Sequence, residues 1–338
     1  MFQVALTAHL PVCPLVFCRS AQSGIRHPPS AVPVSLPSRF DAANAEIVAS
    51  WFRAGAEALL SAGCRQHSID IVAAPGTLIA TGDLHDNPGH FATLMAVAGL
   101  SLDASPPHDP PAAPGCTHLL LHELIHGDRL VNGLDFSYRT LARVAQLKAI
   151  FPERVHVVLG NHELSQIVGA GIVKDGVRVV EAFNAGVEYV FGGSAGMIHD
   201  AIADFVRAMP IALAADTPRG RILCSHSLPS AMMMAKFDPS LLSRDLVPGD
   251  YEPRTGAAHL MVWGRGYDLE LLEDLVERWG VSMFILGHDK IEEGARFVPP
   301  NALVLNSDHA NGVYVPIDLA NPASAEQLAR CAVRLSPC

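Results

Sequence analysis

The apolar positions of this chain follow two patterns, one typical of helices and one of buried strands. Between Asp41 and Gly63 apolar residues recur every three or four positions, which predicts an amphipathic helix. Further helices are predicted from Asp135, as N-cap, to about Ile150 and over 196–208. Apolar runs of six to eight residues predict strands at 77–83, 118–123, 155–161, 221–226, 281–288 and 301–308. Strands alternating with helices over short connections indicate an α/β protein built from βαβ units.

Two proline-rich stretches divide the chain. Residues 19–38 carry Pro and Ser without periodicity, so we expect 1–38 to be a leader or a disordered arm. Residues 101–115 are predicted to be a surface insertion. We therefore expect an N-terminal helical segment over 39–70 packed on the core, a main domain over 71–320 and a C-terminal tail over 321–338.

Composition and charge exclude several classes of protein. With 49% hydrophobic and 17% charged residues, the chain is neither fibrous nor disordered. A net charge of −10 argues against a surface for duplex nucleic acid, and seven cysteines without a CxxC pair argue against a disulfide framework. The chain has no apolar run long enough for a membrane span, and Pro11 and Pro14 interrupt the apolar start, so a cytoplasmic protein is expected rather than one with a signal peptide.

Polar residues that can bind metals follow most of the predicted strands. They occur as Asp83-Leu84-His85, His122-Glu123 through Asp128, Gly160-Asn161-His162-Glu163, Ser225-His226 and Gly287-His288. Ligand sites in α/β sheets form outside the carboxyl ends of the strands, so these side chains are expected to converge. Carboxylates, histidines and an amide at one sheet edge suit a hydrolase that holds two divalent metal ions.

The motifs resemble the calcineurin-like metallophosphoesterase superfamily, and in particular its phosphoprotein-phosphatase branch. The family pattern is Asp-x-His, Gly-Asp-x-x-Asp-Arg, Gly-Asn-His-Asp/Glu, a histidine and Gly-His. It is matched here by GDLHDN (82–87), GNHE (160–163), SHSLP (225–229) and LGHDKIEEG (286–294). The resemblance covers about Thr77 to Leu319. It implies a four-layer fold, in which two mixed β-sheets form a sandwich flanked by helices, with a dinuclear metal site at one end.

The resemblance also implies roles for these residues. Asp83 and His85 would hold the first metal ion, whereas Asn161, His226 and His288 would hold the second. A hydroxide bridging the two ions would attack the phosphorus of a phosphate monoester, and His162 would protonate the leaving oxygen as general acid. Mn²⁺, Fe or Zn²⁺ would fit the ligands, and the partner would be a phosphorylated protein, a nucleotide or another small ester.

The second family motif is not matched, which leaves the bridging carboxylate open between Glu123 and Asp128. Asp128 keeps a Gly-Asp pair, but its register would place the polar residues of HELIH within a strand, which is costly. Glu123 follows its strand at the same distance as Asp83 and Asn161 follow theirs, so Glu123 is the favoured candidate.

The Asp-Arg pair of that motif is missing as well. His126, Asp135 or Glu163 is a candidate for orienting His162 in place of the usual carboxylate. Arg129 and Arg265 are candidates for gripping phosphate, because a guanidinium can bind phosphate oxygens in a bidentate manner.

Three other interpretations are open. HELIH (122–126) matches the His-Glu-x-x-His motif of zinc peptidases, which requires both histidines on one helix turn. GGSAG (192–196), between the strand-like VEYVF and a predicted helix, matches a serine-hydrolase elbow with Asp308-His309 as later partners. The missing Asp-Arg pair would also fit a pseudo-phosphatase that binds metal without turnover. The remaining candidates are interpreted as structural, namely His118, His156, His199, His259 and Cys224.

Overall fold

The computed structural model describes residues 40–104 and 114–336. The expected leader (1–38) and most of the expected insertion (101–115) lie outside these ranges. Within the described ranges, no helix combines the length and apolar character that crossing a membrane requires.

The described residues form fourteen strands and nine α-helices. The strands are β1 (Arg65–Gln66), β2 (Ile69–Ala73), β3 (Thr77–Thr81), β4 (Thr117–Leu121), β5 (Val155–Val157), β6 (Val173–Lys174), β7 (Val177–Arg178), β8 (Ala212–Thr217), β9 (Gly220–Ser225), β10 (Val281–Leu286), β11 (Ala295–Val298), β12 (Ala302–Leu305), β13 (Val313–Asp318) and β14 (Val333–Arg334). The helices are α1 (Ala45–Ser61), α2 (Pro88–Ala98), α3 (Tyr138–Ile150), α4 (Asn161–Val168), α5 (Val179–Phe191), α6 (Ala195–Ala208), α7 (Ala257–Val262), α8 (Leu269–Trp279) and α9 (Ala325–Arg330).

The strands form two mixed sheets and a separate hairpin, which confirms the expected architecture. Sheet one has the order β1-β2-β8-β9-β10-β12-β11, and sheet two has the order β14-β13-β3-β4-β5. The pairs β3–β4, β4–β5, β9–β10 and β10–β12 are parallel, so their carboxyl ends point the same way within each sheet.

The sheets pack face to face through alternating side chains. Leu78 and Ala80 of β3 share one buried cluster with Met283 and Ile285 of β10, from the other sheet. The intervening residues, such as Ile79 and Phe284, join a second cluster with the helices. Both faces of each central strand are therefore covered, which explains why these strands read as continuous apolar runs.

The helix α1 begins where the polar Asn44 caps it, its side chain accepting from the Ile47 amide at 3.1 Å. Its apolar face, including Trp51 and Phe52, is buried, and α1 contacts α3 and α6. The segment expected as a C-terminal tail carries α9 and β14, and β14 pairs with β13 at the edge of sheet two.

Several predicted boundaries differ from the structure. The strands β3, β4 and β5 end at residues 81, 121 and 157, before the metal-binding candidates that were expected to close them. The helix α3 begins later than predicted, at Tyr138, and Asp135 instead accepts from the Ser137 amide at 2.7 Å. The strand-like VEYVF lies in α5, whose buried residues Val179, Phe183 and Val187 recur at helical spacing.

Candidate active site

The loops that leave the carboxyl ends of β3, β4, β5, β9 and β10 meet at one end of the sandwich. The loops after β3, β4, β5, β10 and β12 line a cavity of about 430 Å³ together with residues of the β6–β7 hairpin, whereas His226, after β9, is fully buried. Its wall includes Asp83, His85, Glu123, Asn161, His162 and His288. The sequence therefore delivers these residues to one place, as the pattern of strand ends predicted.

The loops approach so closely that Gly287 has no space for a side chain. A Cβ atom there would lie 2.3 Å from the His122 ring and 2.5 Å from Asp83 Oδ1. The Asp83 carboxylate instead accepts from the amide of His288 at 2.8 Å. This contact joins the ends of β3 and β10 across the two sheets.

Five non-glycine residues at the site have backbones in the left-handed region. They are His85, Asp86, Glu123, His126 and His288, with φ between 39° and 70°. Such conformations are uncommon for non-glycine residues, and they concentrate where function constrains the backbone. Here they turn the chain out of its sheet after the strands, and three of them, His85, Glu123 and His288, line the cavity.

His226 is the centre of the polar cluster. Its Nε2 atom lies 2.7 Å from Asn161 Oδ1, 3.0 Å from His288 Nδ1 and 3.7 Å from Glu123 Oε2. Its Nδ1 atom lies 3.4 Å from Asp83 Oδ1. These atoms come from strand ends of both sheets, and all four partners are side chains that suit a divalent cation.

The two candidates for the bridging carboxylate lie in different places. Glu123 is almost fully buried, with Oε1 at 3.9 Å from His85 Nε2 and 3.5 Å from His162 Nε2. Asp128 is 63% exposed at the cavity rim, where it pairs with Lys174 at 3.1 Å. Glu123 thus lies between the two groups of ligands, whereas Asp128 does not contact them.

Burial dominates the electrostatics of the cluster. It raises the pKa of Asp83 to about 7 and the pKa of Glu123 well above its ordinary value, with the neighbouring Glu163 adding to both rises. Burial also lowers the pKa of His85 and of His288 to about 3, so both imidazoles are neutral and able to ligate. Buried carboxylates without a compensating cation are unfavourable, and a bound metal ion supplies that compensation.

A further observation shows that these side chains suit divalent metal ions. The Nε2 atom of His288 is buried and, within the described part of the chain, has no hydrogen-bond partner. The site contains two sets of three donor residues, and within each set the donor atoms lie within 4.8 Å of one another. One set is His85, Glu123 and His162, and the other is Asp83, His122 and His226. Imidazole, carboxylate and amide oxygen are suitable ligands for Mn²⁺, Fe and Zn²⁺.

Of the three candidates for orienting His162, the structure places His126 against it. The Nδ1 atoms of the two rings are 3.0 Å apart, and His126 Nε2 lies 3.0 Å from Gln166 Oε1. Glu163 instead accepts from the Leu124 amide at 2.6 Å and so holds the loop that carries Glu123.

The two candidate arginines already have partners. Arg265 lines the cavity and donates to the His288 carbonyl at 3.1 Å and to Asp289 at 2.7 Å. Arg129 donates to the carbonyls of His85 and Asp86 at 3.1 Å, and it is absent from the cavity wall.

The peptidase and serine-hydrolase interpretations are wrong. HELIH is not helical; His122 contacts the Thr81 carbonyl and His226, whereas His126 contacts His162, so the two rings do not share a metal position. Ser194 is exposed between the helices α5 and α6, without the strand that a nucleophile elbow requires.

The sequence analysis placed His122 among the converging strand ends but gave it no role in the metal site, and it missed Lys174. The structure places the His122 ring 3.2 Å from His226. Lys174 reaches the cavity from the β6–β7 hairpin and belongs to no motif. Only the turn signal Asp175-Gly176, flanked by valines, could have indicated that this hairpin exists.

A second polar network lies at the amino-terminal side of β4 and β5. Cys116 Sγ is 3.3 Å from His118 Nε2, His118 Nδ1 is 3.0 Å from His156 Nε2, and His156 Nδ1 is 2.8 Å from Asp70 Oδ2.

The other candidates interpreted as structural also lie outside the cavity wall. Cys224 is buried in β9, and burial raises its pKa to about 12. His199 and His259 are half-buried and outside the cavity wall.

Structural comparison finds a phosphatase with the same fold and further phosphatases with weaker similarity. A protein serine/threonine phosphatase from Saccharomyces cerevisiae with similarity to human phosphatase PP5 superposes with a TM-score of 0.58 at 15% identity, over 81% of this chain and 83% of that chain. A cold-active protein-tyrosine phosphatase of the psychrophile Shewanella sp. gives a TM-score of 0.48 at 15% identity, over 77% and 80%. No curated protein matches the sequence significantly.

A sequence model of the calcineurin-like phosphoesterase family matches residues 76–291. This stretch includes the ends of β3, β4, β5, β9 and β10, and it contains three strands of each main sheet. The match agrees with the metal-binding character of the cluster and with the fold. The chain therefore belongs to the calcineurin-like phosphoesterases and is a metal-dependent hydrolase of phosphoric esters.

Proposed function

We propose that this protein hydrolyses phosphate monoesters with two divalent ions held by Asp83, His85, Glu123, Asn161, His226 and His288. The observation that carries the proposal is the convergence of these six buried side chains, four of which lie within 3.7 Å of His226, with His288 Nε2 left without a partner among the described residues. When bound, the two ions would supply an activated water and polarise the phosphoryl oxygens.

In this proposal Glu123 would help to hold both ions, because it faces His85 on one side and His226 on the other. His162 serves as the general acid. Its Nε2 atom faces the cavity 3.5 Å from Glu123, within reach of a leaving oxygen bound there. His126, on the opposite edge of the ring, is its positioning residue.

The test is hydrolysis of p-nitrophenyl phosphate by purified protein with Mn²⁺ and with EDTA, combined with metal analysis. We expect turnover that requires metal. The variants Asp83→Asn and Glu123→Gln should lose both this turnover and their bound metal. Asp200→Asn is the matched control, because Asp200 is an exposed carboxylate on α6, away from the cavity.

A folded protein that binds metal yet hydrolyses no phosphate ester would contradict this proposal and indicate a pseudo-phosphatase. The absence of the family's Asp-Arg pair and the engagement of Arg129 and Arg265 by other partners favour that second candidate.

A further inference from the structure

The β6–β7 hairpin holds Lys174 at the cavity mouth. Residues 172–175 line the cavity, and Lys174 stands just before the tight turn at Asp175 and Gly176. Both turn residues have positive φ, 49° and 83°, as a two-residue hairpin turn requires. The hairpin is further tied to its own base, where the Val179 amide donates to the Ile172 carbonyl at 3.2 Å.

Lys174 lines the cavity together with Arg265 and the exposed Lys290, and it is held less firmly than Arg265. Its ammonium pairs with Asp128 at 3.1 Å, and that carboxylate is 63% exposed. Arg265 and Arg129, by contrast, donate to backbone carbonyls as well as to acidic side chains. Ion pairs with a solvent-exposed partner are weak, so a stronger anion can replace Asp128 easily.

The charge of Lys174 also acts on groups deep in the cavity. Burial raises the pKa of Asp83 and of Glu123, and the Lys174 ammonium is among the charges that oppose both rises. It also lowers the pKa of His162, after burial and the neighbouring histidines. The Lys174 side chain lines the same cavity as Asp83, Glu123 and His162, and it is 25% exposed.

We propose that Lys174 binds the phosphoryl group of the substrate, and that Asp128 is its resting counter-ion, displaced when a phosphate dianion enters. The inference rests on the proposed function and adds a phosphate ligand from a hairpin that carries none of the metal-binding motifs. The dianion carries twice the charge of Asp128 and would also be held at the metal centre. Replacement of Asp128 by the phosphate as the partner of Lys174 therefore favours substrate binding.

The experiment measures binding of inorganic phosphate to the Mn²⁺-loaded protein by calorimetry, beside its competitive inhibition of turnover. We expect Lys174→Gln to raise the Kd of phosphate about tenfold, and Lys174→Arg to stay near wild type. Asp128→Asn is expected to lower the Kd about threefold, because it frees the ammonium. The double variant should match Lys174→Gln, since Asp128 acts only through Lys174.

Metal content and thermal midpoint are recorded for each variant, so that a loss of folding is not taken for a loss of phosphate binding. Wild-type affinity in Lys174→Gln, or a loss of metal in Asp128→Asn, would overturn the inference. A raised Kd in Arg265→Gln with none in Lys174→Gln would assign the phosphate to the arginine instead. Metal-loaded wild-type protein that neither binds phosphate nor hydrolyses esters would overturn the proposed function itself.

Discussion

His126 determines which nitrogen of His162 faces the cavity. The Gln166 amide nitrogen donates to Asn184 at 2.7 Å, so its oxygen is left to accept from Nε2 of His126. We therefore assign the His126 lone pair to Nδ1, where it accepts from Nδ1–H of His162. This arrangement leaves Nε2 of His162 directed at Glu123 and at the position of the substrate.

A variant His126→Ala is expected to slow the hydrolysis of phosphoserine about 100-fold, while p-nitrophenyl phosphate slows less than about fivefold. The reason is that an alkoxide needs a proton from His162 to leave, whereas p-nitrophenolate does not. Steady-state kcat for the two esters measures the difference. His162→Ala should show the same pattern.

His126→Asn is the matched variant, because asparagine tolerates the left-handed backbone at φ 60° and offers an oxygen that can accept from His162. We expect it to recover much of the phosphoserine activity. Equal loss on both esters, with metal content unchanged, would show that His126 does not act through the general acid.

At the scale of elements, the site depends on how closely the ends of β3, β4 and β10 approach. Gly287→Ala would place a methyl group against His122 and Asp83, and overpacking of this kind costs about 1–3 kcal/mol. We expect the end of β10 to move and the affinity for Mn²⁺ to fall about tenfold, as measured by equilibrium dialysis with metal analysis.

Gly193→Ala is the matched control, because a Cβ at Gly193 would meet no atom within 4 Å. Its metal affinity should equal that of the wild type. A Gly287→Ala protein that binds Mn²⁺ as tightly as the wild type would contradict the idea that the strand ends must touch.

The central strands were predictable because both of their faces are buried, and continuous apolar runs record that burial. The ends of these strands were not predictable, because left-handed residues such as Glu123 and His288 turn the chain by backbone geometry that ordinary side chains do not signal.

The strand β13 was also missed, since it contains Pro316. The strand tolerates this proline because the short β14 pairs only with Val313 and Tyr314, which leaves an edge beside Pro316.

The candidate site was predictable to the extent that motifs mark it. Asp83, Asn161 and His288 follow strands in recognisable sequences, and the structure brings all three to the cavity. Lys174 was not predictable, because its position depends on where a two-stranded hairpin packs. The partner of His162 was left open among three residues, since only the tertiary structure shows which ring lies beside it.

At the scale of the whole molecule, a buried hydrogen bond links the two sheets away from the active site. His156 lies in β5 of sheet two, and its Nδ1 atom donates to Asp70 in β2 of sheet one at 2.8 Å. Asp70 also accepts from Arg65 at 2.9 Å, and the buried Lys148 acts on it by charge. This carboxylate is therefore the anion that balances the cations at this end of the sandwich.

Burial by itself raises the pKa of Asp70, but the hydrogen bond from His156 and the charges of Lys148 and Arg65 outweigh it. The folded-state pKa is held well below the ordinary value of 3.8, so the unfolded chain binds the proton more readily. The stabilisation is thus complete above about pH 5 and is lost as the pH falls from 3.8 towards the folded-state pKa.

We therefore expect Asp70→Asn to lower the free energy of unfolding by about 3 kcal/mol at pH 7, because it leaves buried cations without their anion. Urea denaturation from pH 7 down to pH 3 measures the effect, and the difference from wild type should shrink below pH 3.8. Asp216→Asn is the matched control: it removes a more exposed partner of Arg221, and we expect less than about 1 kcal/mol. A small effect of Asp70→Asn at pH 7, or one that persists unchanged at pH 3, would mean that the ionised Asp70 carboxylate does not help to hold the two sheets together.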